Sequence, residues 1–245
     1  MQKTGLVSLF DVETCKRLRS WRGTPSALTN CNVVSYCRSV VAPYLVAVGE
    51  GSSVGLYDVR TSDPAVLKIT GHTGDICSLS WSINQSSDLM RQSSQDNVYL
   101  ATGCTMGTLG VWSLKEMIRA GSNSVLTPEA SNLWEPSCHD SYVQSIAWHP
   151  RQEGLLATGA PEPDKLIKIW DLNSERVLEY IMRCQNGISS MSWHDFSSSN
   201  TTNLGSKSHQ TSELVSSHFN ESNKLTLWQV DDVNFLSNLK NVNKY

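Results

Sequence analysis

The chain has 245 residues, of which 39% are hydrophobic and 18% charged, and its formal net charge is −3. This composition can form a sizeable core and excludes a disordered tail or a coiled coil. Without a basic excess the chain is a poor candidate for binding nucleic acid or an anionic membrane, and no apolar run approaches the roughly 20 residues that span a bilayer. We therefore expect a soluble intracellular protein that binds neither nucleic acid nor membrane.

Seven cysteines are spread along the chain, and none of them forms a Cys-x-x-Cys pair. An odd number without paired spacing argues against both a disulfide framework and a structural zinc site. Free cysteine is among the most buried residue types. We expect reduced, mostly buried thiols, no metal and no cofactor.

Five short apolar segments end in an aromatic residue, and Asp follows three of these residues. The aromatic residues stand 47, 55, 58 and 58 positions apart, at Phe10, Tyr57, Trp112, Trp170 and Trp228. Such self-similarity at a nearly fixed spacing indicates a repeat architecture.

The three later units share one internal order, in which a strand ending in Trp precedes a strand of small residues and the aromatic-ending strand follows. The first two strands of each unit span 77–81 and 100–103, 144–148 and 156–159, and 189–193 and 214–217. Alternation with period two and turn residues between the runs predict strands, while residues 115–120 could form one or two helical turns. Together with the upstream Gly71-His72 pair, the pattern predicts an all-β WD-repeat β-propeller.

Each unit also carries polar residues at repeating positions. A buried His, a Ser or Thr, an Asp in the turn and the strand-end Trp can form hydrogen bonds in series, which satisfies polar groups inside a blade. The one complete set is His139, Thr158, Asp164 and Trp170. We expect this blade to be the most rigid.

Two neighbouring sets are incomplete. The preceding unit has His72, Thr102 and Trp112, but Met106 stands at the Asp position. The last unit has Ser216 and Trp228, with Cys184 near the His position and Ser222 near the Asp position.

Polar stretches lengthen the repeat. Insertions at 84–97 and 196–212 and a linker between blades at 121–135 are rich in Ser and Asn or poor in large apolar residues, which favours disorder. We expect a partial propeller over 5–239 and a polar tail at 240–245.

Several segments resemble, in order, the propeller of the Fizzy family, the WD-repeat activators of the anaphase-promoting complex. They are Ser8-Leu9-Phe10-Asp11-Val12, Lys16-Arg17-Leu18-Arg19, Tyr57-Asp58-Val59-Arg60, 67–72, 143–150 and 213–217. The Lys-Arg-Leu-Arg run is the most specific, because it is not part of the generic repeat. The resemblance implies a non-catalytic adaptor of a ubiquitin ligase in cell-cycle or meiotic control, present in nucleus and cytoplasm. It implies ligase subunits and degron-bearing substrates as partners.

The resemblance also implies where a Lys-Glu-Asn degron would bind, in turns on the narrow face of the propeller. Here Thr105 stands where the family usually has Asn, Glu162 where it has Thr, and Gly187, beside Asn186, where it has Gln. Glu162 would repel a degron Glu but could attract its Lys.

Two features set the chain apart from that family. It carries neither the basic-aromatic docking box nor the final Ile-Arg dipeptide. Its strands supply four fairly complete blades and a fragment of another, whereas the family has seven. A fragment of a longer product, a diverged small propeller and a half that assembles with a second chain are the three interpretations.

The same residues bear on three other functions, namely an enzyme, a receptor of a cullin-based ubiquitin ligase and a scaffold. No Gly-x-Ser-x-Gly, His-Glu-x-x-His or phosphate-cradling motif indicates an enzyme. Arg60 lies in a segment that resembles the WD-x-Arg box of receptors in cullin-based ubiquitin ligases, or it bonds within its own blade. Trp134 lies off the repeat and is either an exposed anchor for a partner or part of a packed strand. A scaffold without any ligase link is the third hypothesis.

Overall fold

The computed structural model describes residues 6–22, 33–37, 42–61, 65–82, 97–174, 178–195, 211–219, 225–231 and 240–242. In this part of the chain there are nineteen strands, one short α-helix and one 3-10 turn. The strands form five sheets. The period-two patterns of the sequence therefore predict the fold class correctly, a partial WD-repeat propeller.

The sheets follow one another along the chain. Sheet 1 contains β1 Leu6–Phe10 and β2 Arg17–Arg22. Sheet 2 contains β3 Val34–Tyr36, β4 Leu45–Glu50, β5 Ser53–Asp58, β6 Leu67–Ile69 and β10 Ser124–Leu126. Sheet 3 contains β7 Ile76–Trp81, β8 Tyr99–Cys104, β9 Leu109–Ser113 and β11 Leu133–Glu135. Sheet 4 contains β12 Ser145–Trp148, β13 Leu155–Gly159, β14 Leu166–Asp171 and β15 Leu178–Arg183. Sheet 5 contains β16 Ile188–Asp195, β17 Thr211–His218, β18 Leu225–Asp231 and β19 Lys240–Val242.

Sheets 3, 4 and 5 are antiparallel blades in which the spatial order of the strands follows the chain. The first strands of sheets 2 to 5, namely β3, β7, β12 and β16, contact one another in sequence. The sheets therefore radiate from a common inner side, as the blades of a propeller do.

The small residues of the second strand in each blade are required by the neighbouring sheet. A Cβ on Gly103 would lie 2.6 Å from Cβ of Val143, and one on Gly159 would lie 2.8 Å from Cγ2 of Ile188. Since interiors are packed to crystal-like density, no larger side chain fits between the sheets. The Leu-Ala-Thr-Gly pattern is thus a consequence of stacking one blade on the next.

The Trp residues that end the first strands join consecutive blades. The indole Nε1–H of Trp81 donates to the Ser35 carbonyl at 3.2 Å, that of Trp148 to the Ser80 carbonyl at 2.9 Å, and that of Trp193 to the Ala147 carbonyl at 3.0 Å. In each case the acceptor lies in the first strand of the preceding sheet. A buried indole thereby finds its hydrogen-bond partner while its ring packs in the core.

The segment 121–135 does not have the disorder that its composition predicts. After the helix α1 Leu114–Ala120, it forms β10, the 3-10 turn Pro128–Ala130 and β11. β10 pairs in parallel with β6, and β11 pairs antiparallel with β9. Paired backbone groups and the burial of Leu126 and Leu133 order this polar segment.

The segment predicted as a polar tail contains β19, which pairs with β18 as the outer strand of sheet 5. The two predicted insertions lie mostly outside the described residues. The predicted helical turns at 115–120 are confirmed by α1, whose N-cap is Ser113, with its hydroxyl accepting from the Lys115 N–H at 3.2 Å. Among the described residues no helix is long and apolar enough to cross a membrane.

Candidate protein-binding face

The turns that join the second and third strands of the blades lie at one end of the sheets. We call this end the turn face; its described residues are 51–52, 71–75, 105–108, 138–144, 160–165, 184–187 and 218–219. The loops that lead into the first strands reach the same end, since the Ile76 N–H donates to the Gly51 carbonyl at 2.7 Å and the Thr105 N–H to the Asp75 carbonyl at 2.9 Å. The turn face is therefore built from all four larger sheets.

Neighbouring turns on this face touch one another. Gly107, with φ of +72°, sits so close to the His139 carbonyl oxygen that an added Cβ would collide with it. The Ser141 hydroxyl donates to the Glu162 carbonyl at 3.2 Å. Farther along, the Phe219 N–H donates to the Gly187 carbonyl at 2.9 Å. These contacts make one continuous surface across sheets 3, 4 and 5.

The structure places the four predicted degron-contacting residues on the turn face. Glu162, Asn186 and Gly187 are neighbours, because a Cβ on Gly187 would lie 2.6 Å from the Glu162 nitrogen. Thr105 is exposed on the turn of sheet 3, which the 138–144 loop separates from the turn of Glu162. Gly187 is buried against Pro161 and leaves no space for the Gln side chain that the resemblance expects there.

Glu162 is exposed but not isolated. Its Oε1 lies 2.9 Å from Nζ of Lys165, and the side chain of Glu162 is 49% exposed. An incoming lysine would therefore compete with Lys165 for this carboxylate, and exposed pairs of this kind are easily exchanged because each is worth under about 1 kcal/mol.

The complete polar network of sheet 4 lies directly beneath the turn face. His139 Nδ1 is 3.1 Å from Asp164 Oδ2, His139 Nε2 is 2.8 Å from Thr158 Oγ1, and the Trp170 Nε1–H donates to Thr158 Oγ1 at 2.8 Å. Burial by itself would raise the pKa of Asp164, but hydrogen bonds from His139 and from two backbone N–H groups bring the pKa below its usual value. The predicted complete set is thus connected as expected.

This network also fixes the surface above it. The Asp140 N–H donates to Asp164 Oδ2 at 2.7 Å, and the Leu166 N–H donates to Asp164 Oδ1 at 2.9 Å. Because Asp164 is almost fully buried, it ties the loop before β12 to the turn before β14 from below. The backbone beneath the exposed side chains of these loops is therefore held in place by buried hydrogen bonds.

The network of sheet 3 lacks one partner. His72 Nε2 is 2.8 Å from Thr102 Oγ1, which also accepts from the Trp112 Nε1–H at 3.1 Å. His72 Nδ1 is buried and has no hydrogen-bond partner among the described residues, because Met106 occupies the place of the aspartate and is 60% exposed. Burial lowers the pKa of His72 to about 4, so its ring is neutral at physiological pH.

Sheet 5 completes its network with a histidine that the sequence pattern did not indicate. Trp228 Nε1–H donates to Ser216 Oγ at 2.9 Å, and Ser216 Oγ lies 3.0 Å from Nε2 of His218. His218 Nδ1 is 3.2 Å from the Asn186 carbonyl. His218 is the last residue of the second strand, β17, and does not precede the first strand, so repeat alignment alone does not place it at the His position. Cys184 is buried near the expected position, and Ser222 lies outside the described residues.

Sheet 2 replaces the network altogether. Val48 stands at the position of the Thr, and the Tyr57 hydroxyl donates instead to the carboxylate of Glu50, both residues being buried. Gly55 lies beside this pair, since a Cβ there would come within 2.8 Å of Glu50 Oε1. In sheet 2 the strand-end Tyr thus bonds a carboxylate, whereas the strand-end Trp of sheets 3, 4 and 5 bonds a hydroxyl.

Arg60 lies at the end of the sheets opposite the turn face, just after β5. Its Nη2 is 2.7 Å from Asp58 Oδ2, and its guanidinium carbon is 3.4 Å from the centre of the Tyr44 ring. The Arg60 hydrogen bond holds the pKa of Asp58 below its usual value. Arg60 thus bonds within its own blade, although its side chain remains 62% exposed.

Trp134 lies in β11 on the outer side of sheet 3. Its ring centre is 4.7 Å from that of His72 and 5.8 Å from that of Trp112, and the side chain is half-buried. Trp134 therefore lies in a strand packed on its blade, which is the second of the two interpretations given for it. It covers the ring of His72 from outside.

The cysteines show no reactive arrangement in the described residues. The described cysteines are all free, and burial raises the pKa of Cys77, Cys138 and Cys184 to about 12. Thiols with such pKa values are neutral and poorly nucleophilic. No group of three His, Cys, Asp or Glu in the described ranges is arranged to hold a metal ion.

The family model of the WD domain, G-beta repeat, matches residues 131–171. This range covers the loop and strands that carry the complete network. In the solved structures, a chain of the "Crystal Structure of Mitotic Checkpoint Complex" matches with a TM-score of 0.66 and 21% identity, covering 94% of this chain and 58% of that chain. The match supports the propeller fold.

Curated relatives share the sequence over nearly its whole length. The "Protein FIZZY-RELATED 2" of Arabidopsis thaliana is 25% identical over 236 residues, which are 96% of this chain and 39% of the relative. The "APC/C activator protein CDH1" of Saccharomyces cerevisiae is 26% identical over 239 residues, covering 98% and 34%. "Cell division cycle 20.1, cofactor of APC complex" of Arabidopsis thaliana is 33% identical over 172 residues, covering 70% and 30%.

These relatives confirm the resemblance to the Fizzy family that the sequence indicates. The chain spans less than two fifths of the length of each of these three relatives.

Proposed function

We propose that the chain is a non-catalytic, substrate-binding part of a regulator of the anaphase-promoting complex. The observation that carries the proposal is the similarity to two relatives, one named as an activator and one as a cofactor of that complex, which extends over 98% and 70% of the chain. A WD-repeat fold with a continuous face of interlocked turns is suited to this role, because it presents side chains from several blades on a rigid support.

In the proposed mechanism the chain acts by holding a short segment of another protein on the turn face. The residues that we propose as contacts are Thr105, Glu162, Asn186 and Gly187. Recruitment of this kind needs no nucleophile or base; the free energy of binding raises the local concentration of the substrate at the ligase. Regulation of the cell cycle, including meiosis, and a location in nucleus and cytoplasm are part of the same proposal.

The departures from the family pattern change what this face would select. The buried Gly187 offers only backbone, and Glu162 presents a carboxylate that is paired with Lys165. A degron Glu would meet like charge there, which disfavours binding. We propose that Lys-Glu-Asn segments bind weakly and that this chain takes other substrates than its relatives.

The proposal is tested by affinity purification of the tagged protein from its own cells, followed by quantitative mass spectrometry. Enrichment of anaphase-promoting complex subunits over an untagged control is the expected result. Enrichment of a cullin and its linker protein instead would favour the alternative in which Arg60 faces a cullin-based ligase. Enrichment of neither class would overturn the ligase link and leave a scaffold.

An Arg60→Ala variant sharpens this comparison. Arg60 is largely exposed, so its loss should leave the protein folded, whereas a cullin-type contact would be lost. A Trp134→Ala variant tests the other predicted contact, although the packing of Trp134 on His72 and Trp112 predicts lower stability for that variant. The roles of Arg60 and Trp134 in partner binding stay predictions until then.

A further inference from the structure

Three large apolar side chains are exposed on the turn face, one from each of sheets 3 and 5 and one from the loop leading into sheet 4. Met106 is 60% exposed, Tyr142 37% and Phe219 43%. Met106 precedes Gly107, which packs against the 139–141 loop, and Tyr142 is the next residue of that loop. Phe219 is joined to Gly187 and through it to the turn of Glu162. The turns that carry these three side chains therefore adjoin one another across the turn face, and we call this set of turns the arc.

The charges along this arc are mainly negative. Asp75, Asp140 and Glu162 are exposed, whereas Lys165 is the one Lys or Arg among the described residues of the turn face, and it pairs with Glu162. Among the described residues no ion pair involves Asp75 or Asp140. The surface thus alternates apolar contacts with carboxylates.

Met106 supplies an independent reason to consider this surface functional. In sheet 4 the corresponding turn buries Asp164 beneath the face, where it bonds His139. In sheet 3 the methionine turns outward over Gly74, since a Cβ on Gly74 would lie 2.6 Å from Met106 Cγ, and His72 Nδ1 is left without a partner. The aspartate that would stabilise the blade is thus replaced in sheet 3 by the exposed Met106.

We propose that the arc of Met106, Tyr142 and Phe219 with Asp75 and Asp140 binds a short extended protein segment that combines Lys or Arg with large apolar residues. Charge complementarity selects the basic residues, and desolvation of the three side chains supplies the affinity. The inference rests on the proposed function, since it names the class of segment that the turn face recognises. It differs from the Lys-Glu-Asn segment that the family resemblance implies.

The direct test is fluorescence anisotropy with labelled peptides and the full chain. The first peptide is Gly-Ser-Lys-Leu-Phe-Lys-Ser-Gly, the second has Glu in place of both Lys, and the third carries Lys-Glu-Asn in the same flanks. We expect the first peptide to bind at least about tenfold more tightly than either of the others and to lose affinity as salt is raised.

Variants locate the site. Met106→Ala and Tyr142→Ala should each weaken binding of the first peptide about tenfold, the size expected for a binding hot spot. Ile118→Ala is the matched control, because Ile118 is 59% exposed on α1, away from the turn face. Met106→Asp should also lose the peptide while raising the thermal midpoint, because the carboxylate can bond His72; this separates loss of binding from loss of fold.

Equal binding of the first and second peptides would overturn the proposal. So would unchanged affinity of Met106→Ala and Tyr142→Ala relative to Ile118→Ala. These results are distinguishable from failure of the ligase proposal, because affinity purification reports subunits that dock elsewhere on the protein. If the chain binds the first peptide but enriches no ligase, the proposed binding site on the turn face stands and the proposed link to the anaphase-promoting complex is overturned.

Discussion

Lowering the pH from 7.5 to 5 should destabilise the protein by about 2 kcal/mol through His72 alone. Burial lowers the pKa of His72 to about 4 in the folded protein, against 6.5 for an ordinary histidine. Between these values the unfolded chain binds a proton that the folded protein excludes. The stabilising contribution of the neutral His72 is therefore complete above about pH 6.5 and falls as the pH drops. Below about pH 4 it is fully lost, and the total loss in the free energy of unfolding is about 3 kcal/mol.

The measurement is urea unfolding, followed by tryptophan fluorescence, at pH 7.5 and pH 5. Since carboxylates and the other histidines also titrate, the quantity to compare is the pH-dependent loss in the wild type minus that in His72→Gln, which keeps a polar side chain but has no titrating group. Met106→Asp is the second comparison. Its carboxylate should raise the folded-state pKa of His72, as the orphaned Nδ1 gains a partner, so less stability is lost at pH 5.

Met106→Asp should also stabilise the protein at pH 7.5 by about 1 kcal/mol, since a buried unpaired nitrogen becomes hydrogen-bonded. The reasoning would be refuted if the wild type and His72→Gln lost the same free energy of unfolding between the two pH values. It would also be refuted if Met106→Asp were as sensitive to acid as the wild type. Either result would mean that His72 is solvated or partnered in the folded protein.

Three further predictions concern stability and binding. Gly107→Ala should destabilise the protein by well over the roughly 1 kcal/mol expected for Gly121→Ala. Both glycines have positive φ, but only at Gly107 would the added Cβ collide with a carbonyl oxygen. Differential scanning calorimetry of the two variants would show the difference, and equal thermal midpoints would contradict it. Thr158→Val should cost about 2 to 4 kcal/mol in denaturant unfolding, since it leaves two buried partners unsatisfied, and a loss under about 1 kcal/mol would mean that the network is not closed. His218→Ala should cost about 1 to 2 kcal/mol and weaken hydrogen-exchange protection of the Trp228 indole; unchanged protection would remove His218 from the network of sheet 5.

The strands and their order could be predicted from the sequence because each blade buries the same positions. Small residues recur where one sheet stacks on the next, as at Gly103 and Gly159, and a Trp recurs where an indole reaches the preceding sheet. The complete network of His139, Thr158, Asp164 and Trp170 was predictable for the same reason. These are properties of positions within a repeat, so one chain containing several repeats displays them.

Other elements could not be predicted, because polar composition alone cannot show where a segment finds partners. Residues 121–135 read as a disordered linker, yet β10 forms a fifth strand on sheet 2 and β11 closes sheet 3. The outer strand β19 could not be predicted either, because it lies in the polar segment 240–245. In both cases the free edge of an existing sheet supplies hydrogen bonds to strands with little hydrophobic pattern of their own.

The sequence by itself determined that the chain forms WD-type blades, since these follow from short periodic patterns and their order, and the resemblance to the Fizzy family implied which turns meet at one face. Only the tertiary structure decided which residues on that face are available. It buries Gly187 against Pro161, pairs Glu162 with Lys165, and turns Met106 outward while His72 loses a partner. Such contacts join residues from different turns and blades, so their distances are set by how the sheets pack and cannot be read from local sequence.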